Sequence, residues 1–276
     1  MRVVGQWRLL NTGYRTGAQN MAIDEALLRQ VAAGRSQPVV RFYGWSPPCV
    51  SLGYFQDTRK AVNLEACLEL GVDYVRRPTG GRAVLHEHEV TYSLVVPGEH
   101  LPKGVTESYR FLSEGILRGL QDLGVPAKMV PGKKGSGPAS AACFDAASWY
   151  EIAVDGRKLV GSAQVRQEGV VLQHGSILLR FDPERLAYLL SGDQAAASRL
   201  IQLLTESVAD LEGVLGRRVE FSEVAAALSV GWEKTLGITL VPSVLTAEEE
   251  KLAQVLIQEK YGREEWNANR VKRRVD

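Results

Sequence analysis

Three cysteines stand in unlike surroundings, and the difference decides which of them could do chemistry. Cys67 falls among Leu64, Leu68 and Leu70, and Cys49 adjoins a β-rich run, so both have the neighbourhood of small core residues. Cys143 instead follows Pro131-Gly132-Lys133-Lys134-Gly135-Ser136-Gly137-Pro138-Ala139-Ser140, a run of breakers and small residues that suits a surface loop. Lys133, Lys134 and Lys158 are near it in sequence. A thiol at such a loop-to-strand junction can be exposed in a positive field, which lowers its pKa and enriches the nucleophilic thiolate. On spacing alone a structural thiol is the competing reading. There is no CxxC pair and no even disulfide framework, so any sulfur chemistry is that of a lone thiol, and a structural zinc site is not expected.

Arg76-Arg77-Pro78-Thr79-Gly80-Gly81-Arg82-Ala83-Val84-Leu85-His86 is the second informative segment. Gly80 and Gly81 let the backbone approach a ligand closely, and Arg77 and Arg82 offer it charge; a tight turn with solvated arginines fits the spacing as well. Lys158 follows the Asp155-Gly156 hairpin signal, whose two-residue register sets it opposite Ala153 and, by alternation, on one face with Val160, Ser162 and Gln164. A lysine near a hairpin tip is usually solvated. The small residues Gly161, Ser162 and Ala163 leave room beside the strand for a ligand or another backbone. His86 and His88 have His-x-His spacing, but without a third clear ligand we expect no metal, and His174 has the look of a hydrogen-bonded structural histidine. The glycines and lysines of 132–137 do not match a phosphate-binding loop.

The elements that must position these residues follow from periodicity and punctuation. Helical spacing predicts helices over Asn20–Ala32 (capped by Asn20), Leu64–Leu70, Thr106–Leu123 and Leu245–Tyr261, and the chain from Pro183 onward reads as helical and polar. Strands are expected over Val39–Trp45, Val50–Tyr54, Val72–Arg76, Val90–Val96, Trp149–Val154, Arg157–Gln167 and Val170–Leu179, the last three joined by turns at Asp155-Gly156 and Glu168-Gly169. This order lacks a βαβα rhythm and predicts an α+β fold with a largely antiparallel central sheet flanked by helices. We expect one catalytic domain over 1–276, with its core at about 33–248 and a C-terminal helical extension. With 45% hydrophobic and 24% charged residues and a formal charge of +1, nothing pulls the chain toward nucleic acid or an anionic membrane. The absence of a signal-like N-terminus or an eighteen-residue apolar run leads us to expect a cytoplasmic monomer.

The segments together resemble the family of lipoate-protein ligases and octanoyltransferases, related in fold to biotin-protein ligases. The resemblance runs from Trp7 through Asn20-Met21-Ala22-Ile23-Asp24-Glu25-Ala26, Arg41-Phe42-Tyr43-Gly44-Trp45, Arg76 to Val84 and Gly156 to Gln164. Ala141-Ala142-Cys143-Phe144-Asp145-Ala146 resembles the nucleophile segment of the Gram-positive-type octanoyltransferases that charge the glycine-cleavage H protein. The resemblance implies that octanoyl passes from an acyl carrier protein to Cys143 and then to a lysine of an apo-lipoyl domain, with no cofactor. It also implies that Lys158, fifteen residues on, lowers the pKa of Cys143, and that Arg77, Thr79, Gly80, Gly81, Arg82, His86, Gly161 and Ser162 line the substrate site. The sequence departs from the family pattern at His86-Glu87-His88-Glu89, where relatives often carry aspartates after the histidine.

Overall fold

In the computed structural model, residues 5–131, 150–191 and 194–268 are described. The first half runs β1 (Gly5–Arg15), α1 (Gly17–Ala32), β2 (Val39–Trp45), β3 (Cys49–Leu52), α2 (Thr58–Ala61), α3 (Leu64–Glu69), β4 (Asp73–Arg76), β5 (Val84–His86), β6 (Glu89–Pro97), α4 (Val105–Asp122) and β7 (Lys128–Pro131). The second runs β8 (Tyr150–Val154), β9 (Arg157–Gln167), β10 (Val170–Leu178), α5 (Pro183–Leu190), α6 (Gln194–Ser207), α7 (Leu211–Leu215), α8 (Phe221–Leu236), β11 (Ile238–Ser243), α9 (Ala247–Leu256), a π-helical turn (Ile257–Tyr261) and α10 (Glu264–Ala268). Among the described residues, eight strands form one sheet in the order β11-β1-β2-β6-β10-β9-β8-β7, and β4-β3-β5 form a second, smaller one. β1 pairs in parallel with β2 and β11, and every other pair in the large sheet is antiparallel. The α+β architecture expected from the sequence is the one observed.

Period-two alternation assigns each strand two faces. Val40 and Phe42 of β2, and Val90, Tyr92, Leu94 and Val96 of β6, join the core under α4 and α8 with Ile116, Leu120, Leu228 and Trp232. Val39 and Tyr43 turn the other way, to α1 and α9, with Leu27, Val95, Leu172 and Leu256. Between that second face and the small sheet, the strands place polar side chains, and there the cavity described below opens. The contact of α4 with α8 depends on glycines: a Cβ on Gly115 would lie 2.0 Å from Trp232 Cδ1, and one on Gly231 would lie 2.2 Å from the Gly115 carbonyl oxygen.

Several sequence expectations are amended. Thr16 caps α1 through a reciprocal Thr16/Gln19 capping box, while Asn20 lies buried one turn further in and donates to the carbonyls of Arg15 and Gly44. The C-terminal part is not all helical, because β11 returns to pair with β1. Asp155-Gly156 and Glu168-Gly169 both take positive φ at their two central positions (49° and 77°, 52° and 76°), the backbone that two-residue hairpins require. No helix among the described residues is long and apolar enough to cross a membrane.

Replacing Gly231 by valine should destabilise the protein by about 1–3 kcal/mol, since backbone atoms rather than a flexible side chain would have to yield. Urea denaturation checks it; an unchanged midpoint would show that the two helices separate without cost.

Candidate active site

A pocket enclosing about 370 Å³ of space, open solvent included, lies between the large sheet and the small one, with Met21 of α1, Tyr43 and Trp45 of β2, Ser51 of β3 and His86 of β5 in its wall. Arg77, Val84, Thr91, His174, Gly175 and Ser176 complete it with Gly161, Ser162 and Ala163.

Beneath it lies a buried ion pair. Arg41 and Asp24 are both fully buried, with Nη1 to Oδ1 at 2.6 Å. Arg41 also donates to Asn20 Oδ1 (2.7 Å), to the Asn20 carbonyl (3.1 Å) and to Thr12 Oγ1 (2.9 Å), and Asp24 accepts from Tyr43 (2.9 Å) and Ser93 (2.8 Å). Burial by itself would raise the Asp24 pKa, but the Arg41 guanidinium, with hydrogen bonds from His174 and Ser93, holds it below the usual carboxylate range. His174 faces Asp24 Oδ2 through Nδ1 at 3.3 Å and Thr79 Oγ1 through Nε2 at 2.7 Å. Burial holds its pKa down despite Asp24, so the imidazole is neutral; with Nδ1–H donated to the carboxylate, Nε2 accepts the Thr79 proton.

Arg77 does not project into solvent. Its guanidinium donates to the carbonyls of Ser51 (2.9 Å), Gly80 (2.8 Å) and Arg82 (2.7 Å), and to the hydroxyls of Ser51 (3.1 Å) and Thr79 (3.2 Å). The 78–82 turn is thus wrapped around a cation that orients two hydroxyls. The two glycines differ: Gly81 has φ +98° and a Cβ there would lie 2.7 Å from Arg77 Nη2, whereas a Cβ on Gly80 would meet nothing within 4 Å. The Gly81 carbonyl approaches Gly53 so closely that a Cβ on Gly53 would sit 1.9 Å from it. Arg76, also buried, donates instead to the carbonyls of Gly53, Gln56 and Trp266 and so ties the 53–58 turn to the C-terminal segment.

On β9 the outcome differs from simple alternation. Lys158 pairs with Ala153 as the hairpin predicts, but the register then shifts, so that Val160, not Leu159, stands opposite Ile152. The extra residue puts Leu159 and Val160 together in the core under α4 and turns Lys158 to the opposite face, the one that carries Gly161 and Ala163. Lys158 is 5% exposed rather than solvated, and its Nζ lies 3.0 Å from Glu151 Oε1. Ser162 is on the far face, where it accepts from the Tyr92 hydroxyl (2.8 Å), and reaches the cavity wall beside Gly175, whose Cβ would collide with the Gly161 carbonyl at 2.4 Å.

Of the residues singled out from the sequence, Arg77, His86, Gly161 and Ser162 share the cavity wall. Thr79, Gly80, Gly81 and Arg82 form the adjoining turn, and Lys158 stands along β9. Cys143 lies outside the described residues. His88 is turned away and accepts from Arg180 (2.7 Å), so the His-x-His pair does not converge, and no cluster of three metal-ligating residues occurs among the described residues. The sequence reading missed Asp24, Tyr43, Trp45, Ser51, Thr91 and Ser176. The signal was available in Glu89-Val90-Thr91-Tyr92-Ser93-Leu94, where polar residues alternate with apolar ones in a strand that proves buried on both faces.

Asp24→Asn should cost about 3–5 kcal/mol, because it leaves Arg41 buried without a counter-charge. With a folded pKa below the unfolded value, the contribution of Asp24 is complete above roughly pH 4 and disappears as pH falls through the folded value, so acid melts of Asp24→Asn should be flatter than those of wild type. At the turn, Gly81→Ala should lower stability by more than about 1 kcal/mol and Gly80→Ala should change it little; equal effects would remove the distinction drawn between the two glycines.

A family model described as the lipoyl protein ligase A/B catalytic domain matches residues 16–232. The octanoyltransferase LipM of Kyrpidia tusciae is 49% identical, with 95% of this chain and 98% of the relative covered. That of Symbiobacterium thermophilum is 48% identical, with coverages of 95% and 97%. Among solved structures, a bipartite lipoate protein ligase from Thermoplasma acidophilum superposes with a TM-score of 0.82 at 27% identity, covering 98% of this chain and 99% of the other. The chain belongs to the lipoyl protein ligase A/B catalytic domain family.

Proposed function

We propose that this octanoyltransferase works in two covalent steps, carrying the acyl group as a thioester on Cys143 and passing it to a lysine amine. The supporting observation is the state of the other two thiols. Cys49 is fully buried and its pKa is pushed far up by burial; Cys67 is buried as well, and burial together with Asp73 raises its pKa to about 11. Neither is a thiolate at neutral pH, so the relay falls to Cys143, seven residues before Tyr150 in the sequence. The donor is octanoyl acyl carrier protein and the acceptor an apo-lipoyl domain such as that of the glycine-cleavage H protein. Exchange of one thioester for another is close to isoenergetic and aminolysis of a thioester runs downhill, so neither nucleotide nor cofactor is called for. Lys158, positioned by the β9 bulge and Glu151, is the cation that favours the thiolate. The cavity takes the acyl chain: at about 0.8 kcal/mol per buried methylene, eight carbons contribute about 5 kcal/mol, enough to make chain length matter.

Incubation with octanoyl carrier protein, without acceptor or ATP, should add one octanoyl group that hydroxylamine removes, and Cys143→Ala should lack it. Lys158→Ala should move the alkylation-rate profile of Cys143 to higher pH. Modification of an apo-lipoyl domain at wild-type rate by Cys143→Ala would overturn the covalent route in favour of an adenylate-forming one.

A further inference from the structure

Two adjacent residues of α1 lead to the cavity turn by opposite routes. From inside, Asp24 reaches Thr79 through His174. From outside, Glu25 begins a route through the C-terminal residues 257–268. Its Oε2 accepts from Lys260 Nζ (2.6 Å) and from the Tyr261 hydroxyl (2.5 Å), both on the π-helical turn, so this segment is fixed to α1 at its start. Lys260 also lies over the Trp266 ring, 4.2 Å from its centroid, and Tyr261 meets that ring edge-on at 5.9 Å. Asn267 Nδ2 donates back to the Tyr261 carbonyl (2.8 Å), which closes residues 261–267 into one unit. The far end of the segment is bonded to β4. Trp266 Nε1 donates to the Arg76 carbonyl, and the Arg76 amide donates to Asn267 Oδ1, both at 2.9 Å. These bonds fill the outer edge of β4, whose other edge pairs with β3.

The Arg76 guanidinium carries the connection inward. It is fully buried, and its donors go to the carbonyls of Trp266 (2.9 Å), Asn267 (3.2 Å), Gly53 (3.0 Å), Tyr54 (3.1 Å) and Gln56 (2.7 Å), and to Thr58 Oγ1 (2.8 Å). Thr58 gives its own proton to the Asn267 carbonyl at 2.7 Å. A buried guanidinium that loses acceptors is left with unpaired donors, so the 53–58 turn stays where the C-terminal residues hold it. That turn bears on the glycine turn. The Tyr54 amide donates to the Thr79 carbonyl at 2.8 Å, and a Cβ on Gly53 would lie 1.9 Å from the Gly81 carbonyl oxygen.

We propose that Trp266 and Asn267 are positioning residues for the acyl group: through Arg76 and the 53–58 turn they set where the 78–82 turn stands against the cavity. The proposal rests on the reading above that this cavity takes the acyl chain. Neither residue belongs to the cavity wall. Loss of either leaves Arg76 short of acceptors and lets the two turns shift together, so the effect falls on donor binding and chain-length choice rather than on turnover.

The test compares Trp266→Ala, Asn267→Ala and Trp266→Phe with wild type and with Gly231→Val, a variant destabilised at the contact of α4 with α8. Octanoyl and decanoyl carrier proteins are offered with an apo-lipoyl domain, and amide hydrogen exchange is followed over 78–82. In the alanine variants we expect KM for the octanoyl donor to rise about tenfold with kcat within about threefold of wild type. The preference for eight carbons over ten should fall about tenfold, and exchange at 78–82 should quicken about tenfold. Trp266→Phe keeps an aromatic ring and loses only the Nε1 donor; it should show the same pattern at about a third of the size, and it serves where an alanine variant fails to fold. Gly231→Val should move none of these. Unchanged exchange and unchanged preference in folded variants overturn the proposal, as does an equal shift in Gly231→Val, which would make the effect one of stability alone. A wild type that does not distinguish eight carbons from ten counts instead against the acyl-chain reading of the cavity, and exchange at 78–82 then decides the positioning role by itself.

Discussion

The buried pair of Arg41 and Asp24 is the constraint on which the rest of the site depends. Two charges removed from water are tolerated only if each is matched and its remaining hydrogen-bonding positions are filled. Here that demand recruits α1, β1, β2, β6 and β10 at once, since Asn20, Thr12, Tyr43, Ser93 and His174 all attach to the pair. Through His174 the order passes to Thr79, and through Thr79 to Arg77 and the glycine turn. Helix, sheet and turn are thereby locked in one relative arrangement, and the cavity is the space that arrangement leaves.

Absent side chains shape that space as much as present ones. The close approach of Gly53 to the Gly81 carbonyl brings the small sheet and its turn together, and the bare Cα of Gly175 admits the Gly161 carbonyl and Ser162. The β9 bulge then turns Lys158 to the Gly161 side, so a single extra residue decides which face receives the charge. Arg76 and Arg77, adjacent in sequence, have different tasks: Arg76, the last residue of β4, fastens the C-terminal segment, and Arg77, just past it, holds the cavity turn.

Much of this was legible in the sequence. Helices α1, α3, α4 and α9, the three-stranded run from Tyr150 to Leu178, both hairpin turns and the Lys158 to Ala153 register follow from periodicity and turn chemistry. β1 and β11 were not legible, because their pairing is parallel and joins residues more than two hundred positions apart, and β11 contains Pro242. Asn20 has the residue type of a cap, yet Thr16 with Gln19 makes the reciprocal contact and frees Asn20 for Arg41. The bulge at Leu159 leaves no mark in residue types, so the face of Lys158 was misassigned. The polar network escaped because each member is ordinary alone; only the fold brings Asp24, Arg41, Ser93 and His174 within reach of one another.

The link between the covalent acyl group and this cavity is tested most directly by a crystal structure of the wild-type acyl-enzyme, trapped with octanoyl carrier protein and no acceptor. Density for an eight-carbon chain should run from Cys143 Sγ into the space between Trp45 and the 161–163 strand. A chain attached to any other residue, or one that leaves this cavity unfilled, would contradict it.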